Sequence, residues 1–359
     1  MEYLTLDAAM LRALELAARG PAYGPNPQVG CVILAPATSP DPTAPRLILA
    51  QGWHRGAGTP HAEADALAYA ATAGIDVTGA TAVVTLEPCN HTGRTGPCAR
   101  ALADGGVTDV VVSVSDPTAI AGGGADYLRS RGVSVTSGLR QDRGEALLRV
   151  WLTAVRRGTP YVTLKTATTL DGYVAAVDGS SRWITGAPAR EHAHTVRRRV
   201  DAIMVGTGTV LTDDPTLTAR DASGEPHAHQ PLRVVVGRRA VPPGAKVRSG
   251  AEYLHLRTHD VAEVLSELAA RDIRHVLLEG GPGLATAFLA AHAVDEVHAY
   301  LAPMILGEGR RVVGSLGATT LSDAPRLDTV SVERLGDDML LVARTRPVTA
   351  GTPDPSVLT

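Results

Sequence analysis

The sequence has few cysteines, almost no lysine and no long apolar run, and each shortage removes a class of protein. Three cysteines, Cys31, Cys89 and Cys98, make an odd count in a chain of 359 residues. That excludes a disulfide-framework architecture. No apolar stretch approaches the roughly 20 residues that a bilayer span requires. The opening segment "MEYLTLDAAMLRALELAARG" is acidic and amphipathic, unlike the basic and then apolar pattern of a secretory leader. A formal net charge of -3 leaves no electrostatic footprint for nucleic acid or an anionic membrane. A cytoplasmic protein with neither partner is expected. Of 34 basic residues only Lys165 and Lys246 are lysines, so arginine is used almost wherever a cation is wanted.

What remains is ordinary globular material, 44% hydrophobic and 20% charged, long enough for two domains. The first 140 residues alternate helix and strand patterns. Helical spacing covers 6–19, strands are expected at 29–34 and 46–53 around a Pro-rich loop (36–45), and a helix at 61–73. Strands at 80–87 and 108–114 follow, with helices opening near Pro97 and at "GGGADYLRSRG". This alternation predicts a three-layer α/β/α domain. An amphipathic helix at 139–158 leads into a second alternating region. There the pattern gives strands at 161–168, 201–205, 232–237 and 274–279, and helices at 187–199, 261–271 and 282–291. Residues 221–231 read as loop.

Two segments carry chemistry. In "TPHAEADAL" (59–67) Pro60 is a helix-start residue, which puts His61 and Glu63 in a first helical turn. In "EPCNHTGRTGPC" (87–98) Cys89 follows Pro88 at a strand end, and Pro97 starts the helix that carries Cys98. Helix N-termini favour thiolate over thiol. One nitrogen and two thiolates form a zinc site with a fourth position open to water. Glu63, two residues from His61, is placed to carry that water's proton. This is the H-x-E…P-C pattern of zinc deaminases. The competing reading is a structural zinc site completed by His91. Cys31, within the apolar run "VGCVIL", reads as a core residue.

Eight residues separate Cys89 from Cys98, where the common deaminase signature has two. The longer loop, with "PNPQVGCVI" (25–33) and "SDPTAIAGGG" (115–124), resembles the deaminase half of the bifunctional riboflavin-biosynthesis deaminase–reductases. "VTLKTATTLDGYVA" (162–175), "SSRWITG" (180–186), "VGTGTVLTDDPTLTAR" (205–220) and "LLEGGPGLATAFL" (277–289) resemble that family's reductase half, which has a dihydrofolate-reductase-like α/β fold. The resemblance implies a cytidine-deaminase-like domain at 1–146, a linker helix at 147–158, a reductase domain at 159–348 and a tail at 349–359. It implies one zinc per chain on His61, Cys89 and Cys98, Glu63 as proton carrier, and Asn26 and His91 at the pyrimidine.

In the second half the resemblance implies substrate contacts from Ser181, Arg197, Leu217, Arg220 and Glu279, with Lys165 and Asp213 at the reducing centre. NADPH contacts fall to Ala167, Trp183, Thr209 and Asp213, and to Gly281, Pro282, Gly283, Leu284, Ala285, Thr286 and Ala287. The residues agree where they can be read. "GGPGLA" follows a strand and opens a helix, which suits a dinucleotide phosphate, and "VGTGTV" is a second Gly-rich strand exit. A lysine in an apolar strand of an arginine-using chain points to a need for a compact ammonium. After "LRVVVG" the family usually has Asp-Ser, whereas here Gly237 and Arg238 are followed by Arg239; a guanidinium such as that of Arg238 would suit the 2′-phosphate of NADPH. The expected activity is deamination of a small phosphorylated pyrimidine followed by NADPH reduction of its ribosyl group, in a homo-oligomer (dimer or tetramer). Readings from other classes are a nucleic-acid base deaminase and a zinc-stabilised ligand sensor.

Overall fold

The computed structural model describes residues 2–346 apart from 40, 42, 92–95, 222 and 251. The expected tail at 349–359 and the centre of the Cys89–Cys98 loop lie outside the described residues. The chain forms two compact units. The first runs to Pro160 and takes in Leu268–His275; the second comprises Tyr161–Glu267 and the described residues from Val276 onward.

The first unit is built, in order, from β1 (Tyr3–Leu4), α1 (Leu6–Ala17), β2 (Gly30–Leu34), β3 (Arg46–Trp53), α2 (Ala62–Thr72), β4 (Thr81–Leu86), α3 (Cys98–Asp104), β5 (Asp109–Val114), α4 (Gly124–Ser130), β6 (Ser134–Ser137) and α5 (Gln141–Arg157). Its sheet has the order β1-β3-β2-β4-β5-β6, parallel from β4 to β6 and antiparallel elsewhere. Strands β2 and β4 are buried along their whole length because helices cover both faces. Cys31 and Ile33 pack with residues of α2, α3 and α4, while Val32 and Leu34 pack with Met10, Ala13 and Leu16 of α1. This is the three-layer arrangement read from the sequence, and Cys31 is a fully buried core residue as expected. Residues 147–158, expected as a linking helix, form the greater part of α5, whose Leu148 and Leu152 pack against Leu86 and Val114.

The second unit continues with β7 (Tyr161–Thr169), β8 (Tyr173–Ala175), α6 (Ala187–Arg197), β9 (Ala202–Gly206), α7 (Thr207–Asp213), β10 (Leu232–Val236), β11 (Tyr253–Leu256), α8 (Val261–Ala269), β12 (His275–Leu278), α9 (Pro282–Ala290), β13 (Glu296–Ala302), β14 (Arg310–Arg311), β15 (Leu327–Leu335) and β16 (Asp338–Thr345). Eight strands form one sheet in the order β11-β10-β9-β12-β7-β13-β16-β15. The ladders from β11 to β9, β9 to β12 and β7 to β13 are parallel, and the β15–β16 hairpin closes one edge antiparallel. Parallel strands align their carboxyl ends, and in such sheets ligands bind beyond those ends.

One close approach ties the first unit's fold to its chemistry. A Cβ on Gly124, the first residue of α4, would lie 1.7 Å from the Pro88 carbonyl oxygen. Glu87 accepts hydrogen bonds from the Ala125 N–H (3.0 Å) and the Asp116 N–H (3.3 Å), so α4 is pressed onto the exit of β4. Gly124→Ala is expected to destabilise the first unit by about 3 kcal/mol, the upper end of overpacking costs. That corresponds to a drop of roughly 6–12 °C in its thermal midpoint, measurable by circular dichroism. A shift below about 2 °C would show that α4 can move off Pro88 freely.

Candidate active sites

Three elements of the first unit bring three soft donors together. His61 is the extended-backbone residue (φ -69°, ψ 163°) on which α2 begins, so it caps the helix rather than lying within its first turn as the sequence suggested. Glu63 does lie in that turn. Cys89 stands beyond the end of β4, and Cys98 is the first residue of α3, with Pro97 before it. His61 Nδ1 is 3.5 Å from Cys89 Sγ and 3.4 Å from Cys98 Sγ. The Cys98 backbone N–H, the first of α3, is directed at Cys89 Sγ (3.5 Å), which is how a helix N-terminus stabilises thiolate. The Cys98 thiol hydrogen bond, with His61 and that N–H, pulls Cys89 down to about 4, and holding the shared proton pushes Cys98 far up. Burial pushes the Glu63 carboxyl up to about 7.

These donors fit zinc. Bonds of about 2.3 Å to sulfur and 2.0–2.1 Å to nitrogen at tetrahedral angles separate N from S by about 3.6 Å. The three donor atoms all lie within 4.8 Å of one another, and among the described residues they are the whole of the group, without His91. The His91 Nδ1 is buried with no hydrogen-bond partner among the described residues.

Behind the donors lies a residue that reading the sequence missed. His54, 4% exposed, lies with Nδ1 3.0 Å from the Pro60 carbonyl and Nε2 2.9 Å from Asn26 Nδ2. A carbonyl only accepts, so Nδ1 carries the proton and Nε2 accepts from the Asn26 amide. Burial lowers the His54 pKa, in keeping with this neutral tautomer. The Asn26 amide is thereby oriented, its oxygen having no hydrogen-bond partner among the described residues, and the His54 ring stands edge-on to His61 at 5.3 Å. The available signal was a histidine at the end of β3, seven residues before His61.

In the second unit Lys165 and Ala167 lie on one face of β7. The Lys165 ammonium sits 5.4 Å from the Tyr300 ring centre, and Tyr300 is hydrogen bonded to His192 Nδ1 at 2.7 Å. Neither Tyr300 nor His192 was expected. Burial lowers the Lys165 pKa, and the charges acting on it are Glu279 and Arg197. Arg197 donates from Nε and one terminal nitrogen to the two Glu279 oxygens, both at 2.7 Å, and from the other to the Thr218 carbonyl at 3.2 Å. Burial opposes the Glu279 charge and Arg197 overcomes it, holding the carboxyl at about 2. Leu217 is buried in the left-handed region (φ 52°), a strained place for a branched side chain. The next residue, Thr218, accepts from Arg220 Nε at 3.1 Å. Lys165, Arg197, Leu217, Arg220 and Glu279 are thus linked in one cluster.

The other expected residues gather at the ends of β9 and β12. Gly206 caps α7, which carries Thr209 and Asp213; Gly281 caps α9, whose first residue is Pro282. A Cβ on Gly281 would stand 3.4 Å from Thr209 Oγ1, so the two exits adjoin. Ala285 is buried, and the Thr286 hydroxyl is used on the Pro282 carbonyl (2.6 Å) and the Gly314 N–H (2.8 Å). The open part of the turn is the backbone around exposed Gly283; Leu284 packs against Gly280, and Ala287 follows on α9. Arg182 donates to the Asp213 carbonyl (3.1 Å) and so anchors the segment that holds half-buried Ser181 and exposed Trp183. Arg238 is exposed and makes no hydrogen bond or ion pair among the described residues.

Known proteins carry both halves. Residues 5–114 match the cytidine and deoxycytidylate deaminase zinc-binding region, and residues 160–341 match the RibD C-terminal domain. The riboflavin biosynthesis protein RibD of Mycobacterium tuberculosis is 46% identical over 341 residues, 94% of this chain and 96% of that one. The chain belongs to the RibD family. RibD of Escherichia coli is 36% identical over 368 residues, 92% of this chain and 97% of its own. Among solved structures, the diaminohydroxyphosphoribosylaminopyrimidine deaminase/5-amino-6-(5-phosphoribosylamino)uracil reductase of Thermotoga maritima superposes with a TM-score of 0.82 at 34% identity, covering 95% of this chain and 99% of that one. RibD of Acinetobacter baumannii gives 0.84 at 34% identity, covering 96% and 99%. As a RibD, the protein is a bifunctional deaminase and reductase of riboflavin biosynthesis, with a zinc-binding deaminase domain and an NADPH-dependent reductase domain.

Two outcomes follow for the sites. Metal analysis should find about one zinc per chain, and Glu63→Gln should keep that zinc while ammonia release falls by at least about a hundredfold, the contribution of a positioned acid–base group. Zinc lost from this variant would make Glu63 a ligand instead. The Glu279 carboxyl is held below its ordinary value, so its stabilising contribution is complete above about pH 4.3 and is lost as pH falls through about 2. Glu279→Gln should remove that acid-dependent loss in urea unfolding, and at neutral pH should cost about 3–5 kcal/mol by leaving Arg197 buried and unpaired.

Proposed function

We propose that the first unit hydrolyses the 2-amino group of 2,5-diamino-6-(5-phosphoribosylamino)pyrimidin-4(3H)-one. We propose that the second unit reduces the ribosyl group of the product to give 5-amino-6-(5-phosphoribitylamino)uracil. The observation that carries this reading is the His61–Cys89–Cys98 triangle with the buried carboxyl of Glu63 beside it. Zinc on those three donors supplies Lewis acidity that makes water a nucleophile near neutral pH. Glu63, with its carboxyl pushed up to about 7, takes a proton from the water and returns it to the departing nitrogen, so one water is consumed and one ammonia leaves. In this reading the oxygen of Asn26, whose amide is fixed by His54, accepts from the ring's amino group, and the buried, unpartnered Nδ1 of His91 is a second group for the same substrate.

In the second unit NADPH supplies hydride, and the chain's own groups bind and orient. Lys165 directs a compact ammonium at the sugar oxygen that gains negative charge. Glu279 engages a sugar hydroxyl and is held charged by Arg197 for that purpose. The Arg197 guanidinium is committed to Glu279 and Thr218, whereas Arg220, which donates from Nε to Thr218 Oγ1 and from one terminal nitrogen to the Gly224 carbonyl, offers its other terminal nitrogen to the substrate phosphate. Ser181 completes the substrate side. Ala167, Trp183, Thr209, Asp213, Arg238 and residues 281–287, the cap and first half of α9, border the cofactor. We also propose a cytoplasmic homo-oligomer acting on small molecules alone.

A coupled assay on the purified chain that follows ammonia release and NADPH oxidation separately tests this reading. Absence of ammonia from the diaminopyrimidine would refute the deaminase assignment. Lys165→Arg keeps the charge but substitutes a larger planar group. Since a misplacement of about 1 Å can cost a hundredfold, NADPH oxidation should drop by about that factor while zinc content and ammonia release stay at wild-type values. Near-normal oxidation would return Lys165 to an ordinary strand residue.

A further inference from the structure

The segment Gly237–Arg239 leaves β10 at the carboxyl edge shared with β9 and β12. Gly237 has φ 129°, and a Cβ there would lie 2.7 Å from Thr207 Oγ1, so the chain turns against the start of α7 only because this residue is glycine. The turn is pinned from β11. The Gly237 N–H donates to the Leu256 carbonyl at 3.0 Å, and its own carbonyl accepts from His255 Nε2 at 2.8 Å. Beyond it Arg239 folds back over the exit of β9, where a Cβ on Gly208 would be only 3.0 Å from the guanidinium. Arg239 makes no hydrogen bond or ion pair among the described residues, so an uncompensated positive charge stands beside the two Gly-rich exits.

Strand spacing of about 4.8 Å places β10 roughly 10 Å from β12, with β9 between them. A dinucleotide whose pyrophosphate rested on the turn before α9, with its reducing end toward Lys165 on β7, would run its adenosine end across β9 toward β10. A phosphate on the adenosine 2′-oxygen would then meet the Arg239 guanidinium, which suits it bidentately. We infer that Arg239 recognises the 2′-phosphate of NADPH and sets the preference for NADPH over NADH. This rests on the reading of Gly281 and the start of α9 as the pyrophosphate site. Gly208 has a part in it, since any side chain there would displace the guanidinium.

Calorimetric titration of the full chain with NADPH and, separately, with NADH tests both layers. Arg239→Gln should weaken NADPH by about 10–100-fold, the value of charge-assisted bonds to phosphate, and leave NADH within about twofold. Gly281→Val should weaken both cofactors alike. Equal losses of NADPH and NADH in Arg239→Gln would place the guanidinium on the shared pyrophosphate and overturn the specificity role. No loss in Arg239→Gln alongside a clear loss in Gly281→Val would overturn Arg239 alone. Arg238→Gln is the comparator, and a selective NADPH loss there exceeding that of Arg239→Gln would transfer the role to Arg238. Unchanged affinities in Gly281→Val would overturn the reading of the turn itself, and the inference with it.

Discussion

The first unit depends on holding two sulfurs 3.4 and 3.5 Å from one imidazole nitrogen, with all three donor atoms within 4.8 Å of one another. Such donors do not gather spontaneously, because two adjacent thiols compete for the same protons and desolvation penalises both thiolates. The fold overcomes this by taking each donor from the end of a separate buried element, α2, β4 or α3, so that no donor can relax without moving a packed helix or strand. The first N–H of α3 then favours charge on Cys89, and the packing of α4 against Pro88 fixes the β4 exit. Burial of Glu63 comes from the same packing, and it is the burial that gives a carboxyl a proton affinity suited to neutral pH.

The second unit meets a different electrostatic problem with a related device. A buried Arg–Glu pair is a weak source of net stability but is costly to halve. Arg197 and Glu279 are therefore better understood as a fixed field than as a staple. Their charges nearly cancel each other, leaving Lys165 as the cation that acts into the cluster, with the face of Tyr300 beside it. Under the proposed reduction, a cation desolvated in this way would stabilise negative charge developing nearby, since it requires no reorganisation when that charge forms. The strained Leu217 backbone sits where the cluster turns toward Arg220, which is the kind of place at which folds retain strain.

How much of this could be read in advance depended on which physical property each element used. The three-layer unit was legible because its strands are buried on both faces, giving apolar runs such as "VGCVIL" between amphipathic helices. The gathering of His61, Cys89 and Cys98 was legible because histidine and cysteine so spaced after prolines have few other uses; the exact place of His61, a cap rather than a first-turn residue, was missed. Short or exposed elements escaped. The four residues of β11 carry no two-sided apolar pattern, and α7 lies hidden in a stretch whose glycines read as a strand exit. The roles of His54 and Tyr300 were also illegible, since each depends on a hydrogen bond between residues distant in sequence: Asn26 with His54, His192 with Tyr300.

The use of arginine shows why the two sites differ in this respect. With 34 basic residues and only two lysines, the appearance of a lysine inside a strand carries information, and the structure sets this half-buried one beside the Tyr300 ring, with Glu279 and Arg197 as the charges acting on it. An arginine carries almost none, because most of them coat the surface. Arg238 and Arg239 are adjacent, equally exposed and of identical chemistry, so no property of the sequence separates them. What separates them is the φ of Gly237 and the bonds that pin it, which send one guanidinium over Gly208. Specificity carried by a common residue type is therefore encoded in the glycines around it, Gly208 by the space it leaves and Gly237 by the turn it permits.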